Sequence, residues 1–270
     1  MKTLPKERSV SFAVSMVCRC LALFVAISLG ATKGVAQSVH LIDDFQIGAG
    51  VFSNLLKGAI WGYSPGIGRL DSLNTVAPIL FASVPLGGSN LDLYAAHHSG
   101  RTGTSESFSY RGFAFPTGAD VKIEFSYLEA LWRMHLLDRP HLKLAMIVGP
   151  RFVRANVQAS STLSTVTGDD FLVLPEVGAM LEARPFPRSI LFGLVKYMDL
   201  TSNGSGSHTL QLEGGLSYLI PAPTDTYVGW RLTGGFRYLN LQAVRQRWET
   251  NQFGFDLEAS GPYLEVSRVF

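Results

Sequence analysis

Tyr227-Val-Gly-Trp-Arg-Leu-Thr-Gly-Gly-Phe-Arg-Tyr238 is the stretch on which the fold turns. In an extended chain Val228, Trp230, Leu232, Phe236 and Tyr238 share one face, with Arg231, Thr233, Gly235 and Arg237 on the other. Strict alternation of this kind marks a β-strand with one apolar side. His208 to Tyr218 repeats it, setting Leu210, Leu212, Leu216 and Tyr218 against Gln211, Glu213 and Ser217. Phe171 to Pro185 does so again, with Val173, Val177, Leu181 and Ala183 opposite Glu176, Glu182 and Arg184.

Working outward, ten such segments are predicted at about 43–54, 75–84, 90–98, 119–136, 141–158, 170–185, 189–199, 207–219, 226–242 and 251–270. Short turn-forming links such as Leu86-Gly-Gly-Ser-Asn90 and Leu137-Asp-Arg-Pro140 alternate with longer ones at 55–74, 99–118, 159–169, 201–206 and 243–250. Turns on one side and loops on the other are how barrels of the outer membrane are built. The chain is 47% hydrophobic and 16% charged, below the roughly 25% charge of soluble domains. Its mature part nonetheless has no run of about 18 apolar residues to make a spanning helix. Strands can cross a bilayer only when closed on themselves, because every N–H and C=O needs an internal partner. The expected fold is all-β: a closed antiparallel up-and-down transmembrane β-barrel of about ten strands, with eight as the alternative count.

Some segments change phase. Val121, Ile123, Phe125 and Tyr127 alternate with Lys122, Glu124 and Ser126, but from Leu128 the apolar residues take even positions. Similar slips near Gly149-Pro150 and Gly261-Pro262 suggest β-bulges, since one extra residue flips every later side chain.

Residues 1–36 read as a signal peptide, leaving 37–270 as the barrel. Lys2, Lys6, Arg8 and Arg19 precede the apolar core Leu21–Gly30, and Gly34-Val-Ala36 supplies small residues for cleavage. Both cysteines, Cys18 and Cys20, lie in this leader. Without its five Lys or Arg and one Glu, the formal charge falls from +2 to −2, which excludes a basic nucleic-acid surface.

The chain ends Gly261-Pro-Tyr-Leu-Glu-Val-Ser-Arg-Val-Phe270. Leu264, Val266 and Phe270 resemble the C-terminal signal read by the outer-membrane assembly machinery, while Arg268 stands where an aromatic is usual. With Gly229 to Leu241 and Asp256 to Leu264, this ending is similar to the small outer-membrane β-barrel proteins of Gram-negative bacteria. The resemblance implies a bacterial outer-membrane location, with membrane lipid, lipopolysaccharide and the assembly machinery as partners. It implies no cofactor, and it says nearly nothing of activity, because fold does not fix function.

The polar faces predict a lumen network of Lys122, Glu124, Lys143, Arg151, Glu176, Glu182, Arg184, Lys196, Glu213, Arg231, Arg237 and Asp256. Mixed signs favour paired filling of a narrow interior, with a selective channel as the less favoured reading. His97-His98-Ser99 suggests a rim hydrolase only weakly, and adjacent histidines on a strand point to opposite faces. The function expected is therefore non-enzymatic, structural or narrowly porous, with a lipid- or peptide-directed rim enzyme as the alternative.

Overall fold

The computed structural model describes residues 45–61, 67–110, 113–202, 205–221, 229–247 and 251–270. Residues 1–36, expected as a signal peptide, lie outside the described residues. In chain order the strands are β1 Gln46–Trp61, β2 Ile67–Pro85, β3 Ser89–Thr102, β4 Phe108–Tyr110, β5 Phe113–Phe115 and β6 Asp120–Arg139. They continue with β7 Leu142–Ser160, β8 Thr165–Phe186, β9 Ser189–Ser202, β10 Ser205–Pro221, β11 Gly229–Arg247 and β12 Asn251–Val269. All but β4 and β5 form a closed barrel in which β1 pairs with β12, from Gln46↔Val269 to Trp61↔Gly254. Ten antiparallel strands thus close on themselves, as the sequence predicts.

Gln46 sits opposite both Ser83 and Val269, so the first and last strands share their end with the β2–β3 turn. That turn is tight because Gly87 and Gly88 adopt φ of 60° and 85°, conformations that side chains disfavour. This short-turn end corresponds to the periplasmic side of an outer-membrane barrel.

Strand length explains the rest. A tilted membrane strand needs roughly 9–11 residues, yet β6 has 20 and β8 has 22. Roughly half of each long strand therefore projects beyond the bilayer, and the polarity of its two faces inverts there. In β6 the odd positions face inward throughout: Val121, Ile123, Phe125, Tyr127, Glu129, Leu131 and Arg133 are all buried. Outward-facing Leu128 and Trp132 are exposed for lipid, whereas Lys122 and Glu124, further along the same face, form an ion pair on the outer surface. The same inversion holds in β7, where inward Arg151 gives way to Val153, Ala155, Val157 and Ala159. In β12, Phe255, Leu257 and Ala259 are buried while Asp256 lies on the outside with Asn240, 3.0 Å away.

Three expectations are corrected by this. The expected bulges at Leu128, Gly149-Pro150 and Gly261-Pro262 are absent, because Glu129↔Arg151 and Trp132↔Val148 keep one register, as do Phe52↔Tyr263 and Leu55↔Ser260. The observed irregularities fall instead at Leu56/Gly58, His135/Leu137 and Ala183/Phe186. Lys122, Glu124 and Asp256 are not lumen residues, since beyond the membrane the polar face meets water and the apolar face becomes core. The expected links at 55–74, 159–169 and 243–250 are mostly strand, for the same reason.

Aromatic side chains mark the two edges of the apolar belt, as expected at membrane interfaces. At the short-turn end Phe270 packs on Phe45 at 5.5 Å, and Arg268 lies over Trp230 and Phe270 at 5.3 and 5.9 Å. The cation that breaks the C-terminal pattern is thus clasped by two rings. At the other edge Phe152 and Phe171 stand 6.4 Å apart, and Tyr197 meets His208 at 5.2 Å.

Candidate functional site

Inside the belt the lumen is filled by ionic tiers. Glu129 is buried and accepts from Arg151 Nε at 2.7 Å and Lys196 Nζ at 2.5 Å. Glu176, also buried, lies 3.0 Å from Arg151 Nη1 and 3.5 Å from Lys196, and takes a hydrogen bond from Thr209. Gln211 accepts from Arg151 as well. Two carboxylates and two cations from β6, β7, β8 and β9 therefore cancel. A buried charge is tolerated only when paired in this way.

Beside them Arg237 reaches Glu213 at 2.8 Å and Glu265 at 3.3 Å, and donates to the Tyr94 hydroxyl. The rings of Tyr94 and Tyr263 each lie 4.7 Å from its guanidinium carbon. The absence of a side chain at Gly235 makes room for the Tyr263 ring, which would stand 2.9 Å from a Cβ there. Nearer the short-turn end Arg133 binds Asp92 at 2.9 Å and faces Glu182 at 3.6 Å, with Ser83 bridging. A cavity of about 180 Å³ extends from Asp92, Arg133 and Thr233 to Glu129, Lys196 and Arg237.

Above the tiers the interior is mostly apolar, with a buried polar group in which Asn54 accepts from Thr75 Oγ1 at 2.8 Å and lies 3.5 Å from His98 Nδ1. His98 stacks on Phe125 at 4.1 Å and meets Phe52 edge-on at 5.8 Å. The connection from β3 to β6 folds into this space as the hairpin β4–β5 and buries Phe108, Tyr110 and Phe115. Gly103 and Thr102 hold it to β2, through Asp71 N to Gly103 O at 3.1 Å and Thr102 Oγ1 to Asp71 O at 2.8 Å. The segment expected as a surface loop at 99–118 is in large part a plug.

Of the twelve predicted lumen residues, Lys143, Arg151, Glu176, Glu182, Lys196 and Arg237 are buried inside. Glu213 joins Arg237, and Lys143 pairs with Asp138 at 3.0 Å. Arg231 and Arg184 are half-buried near the short-turn end. Glu129, Arg133, Asp92 and Glu265 were missed. Glu129 and Arg133 are legible in the sequence: they hold the polar positions of β6 in the half where Leu128 and Trp132 turn outward.

On the outer wall, His97 and His98 diverge as expected, the first exposed and the second buried. Ser99 lies on the exposed face with His97, two residues away, and on the opposite face from His98. Instead His97 Nδ1 lies 2.8 Å from Ser126 Oγ across the β3–β6 ladder. This pair heads an apolar furrow of about 650 Å³ running down the wall. The furrow lies where the β2–β3 ladder stops, at Ile79↔Ala96, beside Pro78, which has no N–H to extend it. Among the described residues no group of three or more metal-ligating side chains occurs.

No family model matches the chain, and no curated protein does. Among solved structures it is similar to the outer membrane protease OmpT from Escherichia coli, at 10% identity and TM-score 0.49, over 89% of this chain and all of that one. The translocator domain of the autotransporter NalP from Neisseria meningitidis matches at 13% identity and TM-score 0.38, over 96% of each chain. The P. putida toluene transporter TodX matches at 10% identity and TM-score 0.34, over 84% of this chain and 90% of that one. Likenesses this distant carry nothing about activity.

Proposed function

We propose that the protein is an integral, non-enzymatic barrel of the bacterial outer membrane whose lumen is closed, a structural wall element that presents an extramembrane crown to the outside. The observation that carries this reading is the interior itself. The Glu129–Arg151–Glu176–Lys196 cluster fills the lumen along β6 to β9, Arg237 reaches across to Tyr94 beside it, and Phe108, Tyr110 and Phe115 are buried above. Barrels of about eight strands have interiors that side chains fill, whereas 16–18 strands leave an aqueous channel. Membrane lipid, lipopolysaccharide and the assembly machinery are the partners this reading requires. The test is conductance of the refolded protein in planar bilayers. Small or absent steps are expected, and stable porin-like steps would overturn the reading.

One observation favours a second reading, a rim hydrolase. A serine hydroxyl within hydrogen-bond reach of an imidazole is the minimal activated nucleophile, and His97 and Ser126 meet that distance at the membrane edge. In this reading Ser126 Oγ would attack an ester carbonyl while His97 takes its proton and returns it to the leaving alcohol. Water would then release the acyl group. Labelling of Ser126 by a fluorophosphonate, lost in Ser126→Ala and His97→Ala, supports it; an unlabelled wild type rules it out.

A further inference from the structure

The furrow on the outer wall has two ends of different chemistry. Its apolar length is lined by Leu80, Ala95, Leu128, Phe152 and Phe171. Ala95 supplies little side chain between the bulkier Leu80 and Leu128, and the stacked rings of Phe152 and Phe171 stand on the far side. Its floor is the wall itself at Ala96 and Tyr127, whose own side chains point inward, so the furrow is an open depression on the barrel surface.

The polar end is made by Ser126, His97 and Arg154. Ser126 pairs in register with both His97 and Arg154, which places the three in one row across β3, β6 and β7. Arg154 gives Nε and Nη2 to Asp169 at 3.2 and 2.7 Å, which uses two of the five N–H donors of a guanidinium. The side chain is 68% exposed. Two residues toward the membrane on each strand stand Ala95, Leu128 and Phe152, so the row sits at the depth where hydrocarbon gives way to headgroups.

We propose that this furrow is a lipid-binding site on the barrel exterior, taking an acyl chain along its length and a phosphate at Arg154. A site at the edge opposite the short periplasmic turns faces the outer leaflet, so the occupant is the phosphorylated, acylated glycolipid of that leaflet. Guanidinium recognises phosphate through paired N–H donors, and the adjacent Ser126 hydroxyl adds one more. The site rests on the membrane orientation of the barrel and is independent of whether the lumen conducts.

The test uses the full barrel extracted in mild detergent and mixed with purified lipid A, with bound lipid counted by native mass spectrometry. Wild type should retain lipid A and lose it about tenfold more readily when the phosphates are removed. Ala95→Trp fills the furrow from the lipid-facing side and should lower retention by a similar factor, while Leu216→Trp on the opposite wall should not. Arg154→Gln should erase the preference for the phosphorylated form without changing the heat-modifiable folded state. Equal retention by wild type and Ala95→Trp, or equal binding of dephosphorylated lipid, overturns the proposal. Bilayer conductance of Ala95→Trp should match wild type, which separates a failed lipid site from a failed closed lumen.

Discussion

Glu129 holds two cations at once, and no water layer separates them. Replacing it by Gln keeps the shape but leaves Arg151 and Lys196 sharing Glu176 alone. Removing one partner of a buried pair costs about 3–5 kcal/mol, so Glu129→Gln should destabilise the barrel by that order. Glu124→Gln, whose ion pair with Lys122 is on the outer surface, should stay within about 0.5 kcal/mol. Denaturant unfolding in lipid vesicles compares the two, and equal losses would mean that Glu129 is not the keystone described. At the chain's end, Phe270 caps the seam that closes the barrel and packs on Phe45. Phe270→Ser should therefore leave synthesis and export intact but reduce the heat-modifiable folded fraction in the outer membrane. An undiminished folded fraction would move the assembly signal elsewhere.

A strand such as β6 crosses from the bilayer into water without changing register. Alternation made each strand legible, because period two survives in both environments. What alternation could not supply is which face is inside. Val121 to Tyr127 look like a lipid face and Lys122, Glu124 like a lumen face, when the reverse is true beyond the membrane edge. An inverted environment and a one-residue bulge write the same pattern in a single sequence, and strand length is the cue that separates them. The plug was illegible for a related reason: Phe108, Tyr110 and Phe115 fall in a segment too short and too rich in small polar residues to read as strand. Residues 37–270 contain no cysteine, which makes β6 testable by single substitutions. Cys at Lys122 or Glu124 should react with an impermeant maleimide on whole cells, and Cys at Leu128 or Trp132 should be shielded by lipid. Cys at Ile123 or Phe125 should be silent until the barrel unfolds. Reactivity of the odd positions instead would restore the bulge.

Two kinds of interior are stacked in one barrel, and they close the lumen by different means. Below the membrane edge the closure is electrostatic, through Glu129, Arg151, Glu176 and Lys196. Above it the closure is apolar, through the β4–β5 hairpin packed beneath the crown walls. Deleting the hairpin, by joining Thr102 to Asp120 with a short Gly/Ser linker, removes three buried aromatics, each worth about 1.5–3 kcal/mol of burial. The crown should then become protease-sensitive, because its walls lose their core. The belt carries its own paired charges and its own lipid contacts, so the variant should remain heat-modifiable and embedded. Conductance should also stay small, since the ionic tiers still block the path. Only combining the deletion with Glu129→Gln should give measurable steps, as unpaired Arg151 and Lys196 draw water into the lumen. Large conductance from the hairpin deletion alone would show that the plug, and not the ionic cluster, is what seals the barrel.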